Sequence, residues 1–261
     1  MLTAMPSSLS ADWPGCPPGA LPPAEAHLYF MRLAAFAAPP PSLHELLSGE
    51  ERARAARYLA MRNQIESVAA RALTRAALSR YAPVDPRAWT FEQTELGKPQ
   101  VAGPPGMPPL QFNVSHTQGL VVCLLAHARA VGVDVEFLDR RSDIALLSQR
   151  CLSAAEQQAL WALPESAQAR RFLVHWTLKE AYLKARGIGL GLPLAEITIL
   201  AADDPATLAG PPTGFALGPG VGDEPARWQL ARCHLTPEHV AAVAIERIDH
   251  EVALGIHEVV P

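Results

Sequence analysis

The apolar positions fall into short runs separated by proline and glycine. His27 to Ala35 reads as a strand, closed by Pro39 to Pro41. Ser48 followed by Glu51 is a capping box, and the Ala-, Arg- and Leu-rich stretch from Glu50 to Tyr81 predicts a helix, broken around Asn63. A short apolar piece at Trp89 to Phe91 and a turn at Gly97-Lys98-Pro99 follow. Leu110 to Val114, Gly119 to Ala126 and Ala130 to Phe137 then read as strands.

The second half repeats this order. Leu152-Ser153 with Glu156 restates Leu47-Ser48 with Glu51 at an offset of 105 residues, and the same offset carries Leu73 and Leu78 onto Leu178 and Leu183. Gly187 to Pro193 is a glycine-rich turn and Glu196 to Leu200 a strand. Arg227 to His234 and Val240 to Ile245 form a closing pair, with Ala201 to Pro225 as a polar surface excursion. The expected fold is α+β, made of two similar α/β halves, 27–135 and 136–250. A Pro-rich loose tail at 1–26 and a C-terminal tail at 251–261 complete the chain. A crevice between two such halves is where a small ligand would bind.

Composition narrows the function classes. With 49% hydrophobic and 18% charged residues in 261, the chain suits a soluble globular protein. A net charge of −4 provides no positive footprint for nucleic acid. Cys16, Cys123, Cys151 and Cys233 are scattered, without a C-x-x-C pair, and read as reduced thiols in a cytoplasmic setting. No run of 18 apolar residues and no basic, apolar leader is present, so no membrane association is expected.

Three constellations carry candidate chemistry. In Val131-Gly132-Val133-Asp134-Val135-Glu136 strict alternation puts Gly132, Asp134 and Glu136 on one strand face, the two carboxylates about 7 Å apart at the backbone. That separation suits one hard cation such as magnesium, though a half-buried strand with a wet outer face has the same pattern. Phe172, Trp176, Glu180 and Lys184 follow one another at four-residue spacing along one helix stripe. A Glu-to-Lys helix pair is the ordinary explanation, but it leaves open why the charges continue an aromatic stripe. Phe112-Asn113-Val114-Ser115-His116-Thr117 ends an apolar strand with hydroxyl and imidazole donors suited to phosphate, or simply makes a turn. Lys98 and Arg71 are further candidate phosphate contacts, and either could equally be a solvated cation. No Walker A loop, no G-x-G-x-x-G after a strand and no G-x-S-x-G elbow occurs.

In order and spacing, G-K-P at 97–99, F-N-x-S-H-T at 112–117, G-V-D-V-E at 132–136 and F-x-x-x-W-T-x-K-E-A-x-x-K-A at 172–185 resemble the surfactin-type phosphopantetheinyl transferases, over roughly residues 45–200. The resemblance implies a pseudo-dimer of two α/β halves with coenzyme A in the cleft between them. It puts Asp134, Glu136 and Glu180 at magnesium positions and Ser115 and His116 at coenzyme phosphate contacts, His116 toward the 3′-phosphate. Arg71, Lys98 and Lys184 stand at positions that hold phosphate charge, Lys184 at the pyrophosphate. Many relatives carry an Asp-Arg type pair near Asn63-Gln64, where this chain has only Arg62, which leaves the adenine-side contacts open.

The implied reaction is attack by a serine of an apo acyl or peptidyl carrier protein on the β-phosphorus of coenzyme A, releasing adenosine 3′,5′-bisphosphate. Glu180 is the first choice of base, directly or through water, and Glu136 the second. A magnesium-dependent phosphohydrolase and a non-catalytic module binding coenzyme A and carrier are the alternatives. A monomer is expected, since two halves in one chain could complete the cleft.

Overall fold

Helix and strand boundaries follow the caps and turns read above, with differences that tertiary contacts explain. The structure, a computed structural model, describes residues 19–140, 143–200 and 210–261. In chain order its main elements begin with β1 (Glu25–Arg32), α1 (Pro41–His44), α2 (Gly49–Ala55), α3 (Met61–Ser79), β2 (Thr90–Gln93), β3 (Pro99–Gly103), β4 (Leu110–Thr117) and β5 (Leu120–His127). They continue with β6 (Val131–Phe137), α4 (Ile144–Cys151), α5 (Ala154–Trp161), α6 (Glu165–Arg186), β7 (Ile197–Leu200), β8 (Gly214–Leu217), β9 (Trp228–Cys233), β10 (His239–Glu246) and β11 (Ala253–Glu258). The class is α+β, as expected.

The chain divides into two compact units, residues up to Ala128 together with Ala253–Pro261, and Arg129–Val252. In the first, the sheet order is β11-β1-β5-β4, with β1 antiparallel to β5 and parallel to β11. Val68, Ala69, Ala72 and Leu73 of α3 pack with Tyr29, Met31, Val121, Cys123 and Leu125 of the sheet. In the second, the order is β6-β10-β9, and Phe172, Leu178, Ala181 and Tyr182 of α6 pack with Val240, Ala242 and Ala244. Each unit also holds a two-stranded hairpin, β2-β3 and β7-β8.

Both capping boxes form, and each capping glutamate is also held by a cation of the long helix that follows. Arg75 Nε donates to Glu51 Oε2 at 2.8 Å, and its Nη1 to the Trp89 carbonyl at 2.9 Å. Lys179 Nζ donates to Glu156 Oε2 at 2.6 Å and to the Leu194 carbonyl at 2.9 Å. The glutamates and the carbonyls each stand 105 residues apart, the cations 104, so the helix register slips by one against the offset read from the sequence. Leu73, Leu78, Leu178 and Leu183 are all buried.

These pairs explain one departure from expectation. Glu51 and Arg75 are 24 residues apart, roughly 36 Å along an unbroken helix, so the helix must break for them to meet. It does so between Ala55 and Met61, upstream of the expected interruption at Asn63.

Other boundaries also shift. The first unit ends before β6 rather than at residue 135, because β6 pairs along its whole length with β10. The expected C-terminal tail includes β11, which finds a parallel partner in β1. The expected tail at 1–26 lies outside the described residues up to 18; beyond that, Leu21 is buried and β1 starts at Glu25. Part of the 201–225 excursion, 201–209, is also outside the described residues, and β8 lies within the remainder. Among the described residues no helix is long and apolar enough to cross a membrane.

Candidate active site

The alternation of β6 turns Gly132, Asp134 and Glu136 toward α6. A Cβ built on Gly132 would stand 2.0 Å from the Ala181 carbonyl oxygen and 2.3 Å from the Ala185 nitrogen, so only glycine lets strand and helix approach this closely. Farther along the strand, Lys184 Nζ donates to Asp134 Oδ1 at 2.6 Å, and Trp176 Nε1 donates to Glu136 Oε1 at 3.0 Å. From Gly132 to Glu136 the strand rises about 13 Å, and from Ala185 back to Trp176 the helix spans about the same, so the two stripes run antiparallel in step.

Glu180 lies between Trp176 and Lys184 on that stripe. Its Oε1 is buried without a hydrogen-bond partner. Burial, then the charge of Asp134, pushes its carboxyl up to about 7 against the pull of Lys184. Glu136 is raised for the same two reasons, burial first, with Arg140 and Trp176 opposing. Asp134 therefore acts on both glutamates, as carboxylates crowded into one low-dielectric place must. The strand residues opposite on β10 are Ala242 and Val240, which bring no charge of their own.

The three carboxylates do not stand as a finished ligand array: among the described residues no three His, Cys, Asp or Glu side chains are so grouped. Basic side chains balance the charge instead, Lys184 on Asp134 and Arg140, whose Nη1 donates to Glu136 Oε1 at 2.5 Å. The residues nonetheless fit a hard divalent cation, because the donors are all carboxylate oxygens, they repel one another, and a buried Glu180 oxygen lacks a partner.

The remaining predicted residues belong to the first unit. Lys98 stands just before β3, its amine pushed down to about 8 by burial. Arg71 on α3 is not a solvated cation: its Nε stands 4.0 Å from Glu51 Oε1, and burial lowers its pKa. Ser115 and His116 lie within β4, which runs on to Thr117 instead of ending at Val114. Successive strand residues face opposite ways, and Ser115 is buried while His116 is exposed.

Three functional candidates escaped the sequence reading. Arg140 reaches Glu136 because the chain turns back after β6, the Arg140 amide bonding to the Phe137 carbonyl. Trp176 was legible as part of a stripe, but not as a donor to a carboxylate. Glu66, on α3, is buried with its Oε2 at 3.5 Å from His116 Nδ1; a carboxylate on an Ala-rich helix face was its only signal.

The chain is also similar to known proteins. Residues 130–244 match the model of the 4'-phosphopantetheinyl transferase superfamily, and residues 41–129 match that of the 4'-phosphopantetheinyl transferase N-terminal region. The chain is 34% identical over 222 residues to the 4'-phosphopantetheinyl transferase HetI of a Nostoc species, covering 85% of this chain and 87% of that one. It is 30% identical over 249 residues to a phosphopantetheinyl transferase of a Thraustochytrium species, covering 90% and 82%. The 4'-phosphopantetheinyl transferase Sfp of Bacillus subtilis is 29% identical over 154 residues, with 59% and 66% covered. On these matches, and with its carboxylates on β6 and α6, the chain belongs to the 4'-phosphopantetheinyl transferase family.

Proposed function

We propose that this enzyme transfers the 4'-phosphopantetheine arm of coenzyme A to a serine of an apo carrier protein, using Asp134, Glu136 and Glu180 to hold a magnesium ion. The observation that carries the reading is the convergence of these carboxylates at the contact of β6 and α6, where Asp134 raises both glutamates. Bound there, magnesium would supply charge neutralisation for the pyrophosphate. Glu180, with its carboxyl near 7, is suited to accept the carrier serine proton, directly or through water, and Glu136 is the second choice. Lys184, beside Asp134, brings positive charge to the same place and would steady the leaving phosphate. Arg71, Lys98, Ser115 and His116 are proposed as coenzyme phosphate contacts. The exposed imidazole of His116 supports that part.

Acyl and peptidyl carriers are both within the proposal, as are a monomeric state and a cytoplasmic setting. The described cysteines, Cys123, Cys151 and Cys233, are free and buried, in keeping with that setting. The relatives carry the transferase name, which does not favour a phosphohydrolase or a pure binding module. Intact-mass analysis of several apo carriers, incubated with the enzyme, coenzyme A and magnesium, tests the reading. Each substrate carrier gains one phosphopantetheine, and omission of magnesium stops the gain. Release of adenosine 3′,5′-bisphosphate at the same rate without carrier would instead make the enzyme a hydrolase.

A further inference from the structure

Glu136 Oε1 is held by two donors of different kinds. Trp176 offers an indole N–H at 3.0 Å, and Arg140 a guanidinium at 2.5 Å. The indole is a neutral, donor-only group. Its ring is stacked on Phe172 at a centroid distance of 6.3 Å, and Phe172 is itself buried. The Arg140 side chain is 48% exposed and carries a full positive charge. A cation arriving at the carboxylates is repelled by the guanidinium but not by the neutral indole, so the indole bond is the one of the two that opposes loading least.

We infer that Trp176 is a positioning residue: its indole N–H holds Glu136 in the orientation from which it joins Asp134 and Glu180 at one cation, whereas Arg140 competes with that cation for Glu136. The inference rests on the reading of these three carboxylates as the cation-holding set. Outer partners that orient ligand side chains govern metal affinity in this way, and removing one weakens binding about 10–100-fold. Trp176 reaches the site through its bond to Glu136, so with Glu180 as the base its loss is felt in cation binding and not in turnover at saturating cation.

The test uses Mn²⁺ as the probe, with free ion counted by electron paramagnetic resonance on the full-length chain without coenzyme. Trp176→Phe keeps the ring and removes the donor, and is expected to weaken Mn²⁺ binding about ten-fold. Trp176→His, which restores a ring N–H, recovers part of the loss, and Arg140→Gln binds Mn²⁺ as tightly as the parent or more so. In transfer assays Trp176→Phe raises the half-saturating magnesium concentration and leaves the maximal rate within two-fold or so of the parent. Asp134→Ala separates the two layers of the argument. If it binds Mn²⁺ like the parent, the carboxylate reading falls. If it abolishes binding while Trp176→Phe binds like the parent, or if Arg140→Gln weakens binding as much as Trp176→Phe, the role assigned to Trp176 falls alone. Should Trp176→Phe not fold, the parent's indole ¹⁵N–¹H signal that Glu136→Gln displaces is followed on adding Mg²⁺: movement supports the inference and a stationary signal overturns it.

Discussion

The two units share a frame and differ in what they put between strand and helix. β1-β5-β4 and β6-β10-β9 have the same strand order, and each unit locks a capping glutamate to a cation of its long helix. At the 105-residue offset, His27, Tyr29 and Met31 of β1 correspond to Gly132, Asp134 and Glu136 of β6. In the first unit these residues fill the space toward α3. The His27 ring and the Tyr29 hydroxyl both hydrogen-bond the Tyr81 hydroxyl, and Tyr29 and Met31 join the core. In the second unit the glycine brings the helix close and the two acids face it. One architecture therefore yields a packed aromatic cluster or a crowded set of carboxylates, according to three alternating strand positions.

The frame can be broken separately from the chemistry. The largest effect is expected for Lys179→Met, which leaves Glu156, fully buried, with an uncompensated charge: about 3–5 kcal/mol of stability should be lost in urea titration. Arg75→Met should cost less, because the Glu51 side chain is 15% exposed; equal losses would mean that burial does not distinguish the two anchors. Asp134→Ala should reduce carrier modification by about 10²–10³-fold with the circular dichroism spectrum unchanged, whereas Tyr29→Phe, at the matching place, should leave transfer rates near those of the parent. Comparable loss from both would dissolve the contrast between the strands. Gly132→Ala forces a methyl into the backbone of α6 and should destabilise by about 3 kcal/mol, the upper end for overpacking.

The smallest effect concerns acid stability of the second unit. Burial, then the charges of Lys179 and Arg171, depresses the His175 pKa to about 3. The folded imidazole stays neutral while the unfolded one takes up a proton below about 6.5, so this contribution is present above pH 6.5 and is lost as pH falls toward 3. Between pH 6.5 and 5 the parent should lose about 2 kcal/mol relative to His175→Leu. Parallel stability–pH curves for the two proteins would refute this.

Much of the site was readable because local periodicities set it. Alternation on β6 put Asp134 and Glu136 on one face, four-residue spacing put Trp176, Glu180 and Lys184 on one stripe, and both Ser-x-x-Glu capping boxes formed where they were read. The partners were not readable. A Glu180–Lys184 helix pair is the ordinary explanation of that spacing, yet the Lys184 amine reaches Asp134, 50 residues away. Ser115 and His116 look like one donor group at a strand end, but three more paired residues of β4, Ser115 to Thr117, send them to opposite faces.

By itself the sequence determined which residue types share a face of each element, where the caps lie, and that one module was written twice, because backbone geometry imposes periods of two and 3.6 on any chain. Only the tertiary structure decided which face meets which. The match of Glu136 with Trp176 and Arg140, the buried lock of Glu156 on Lys179 and the pairing of β11 with β1 arise from packing between segments distant in the chain. Such contacts are selected by shape and by the cost of leaving buried charge uncompensated, neither of which is written in any local stretch of residues.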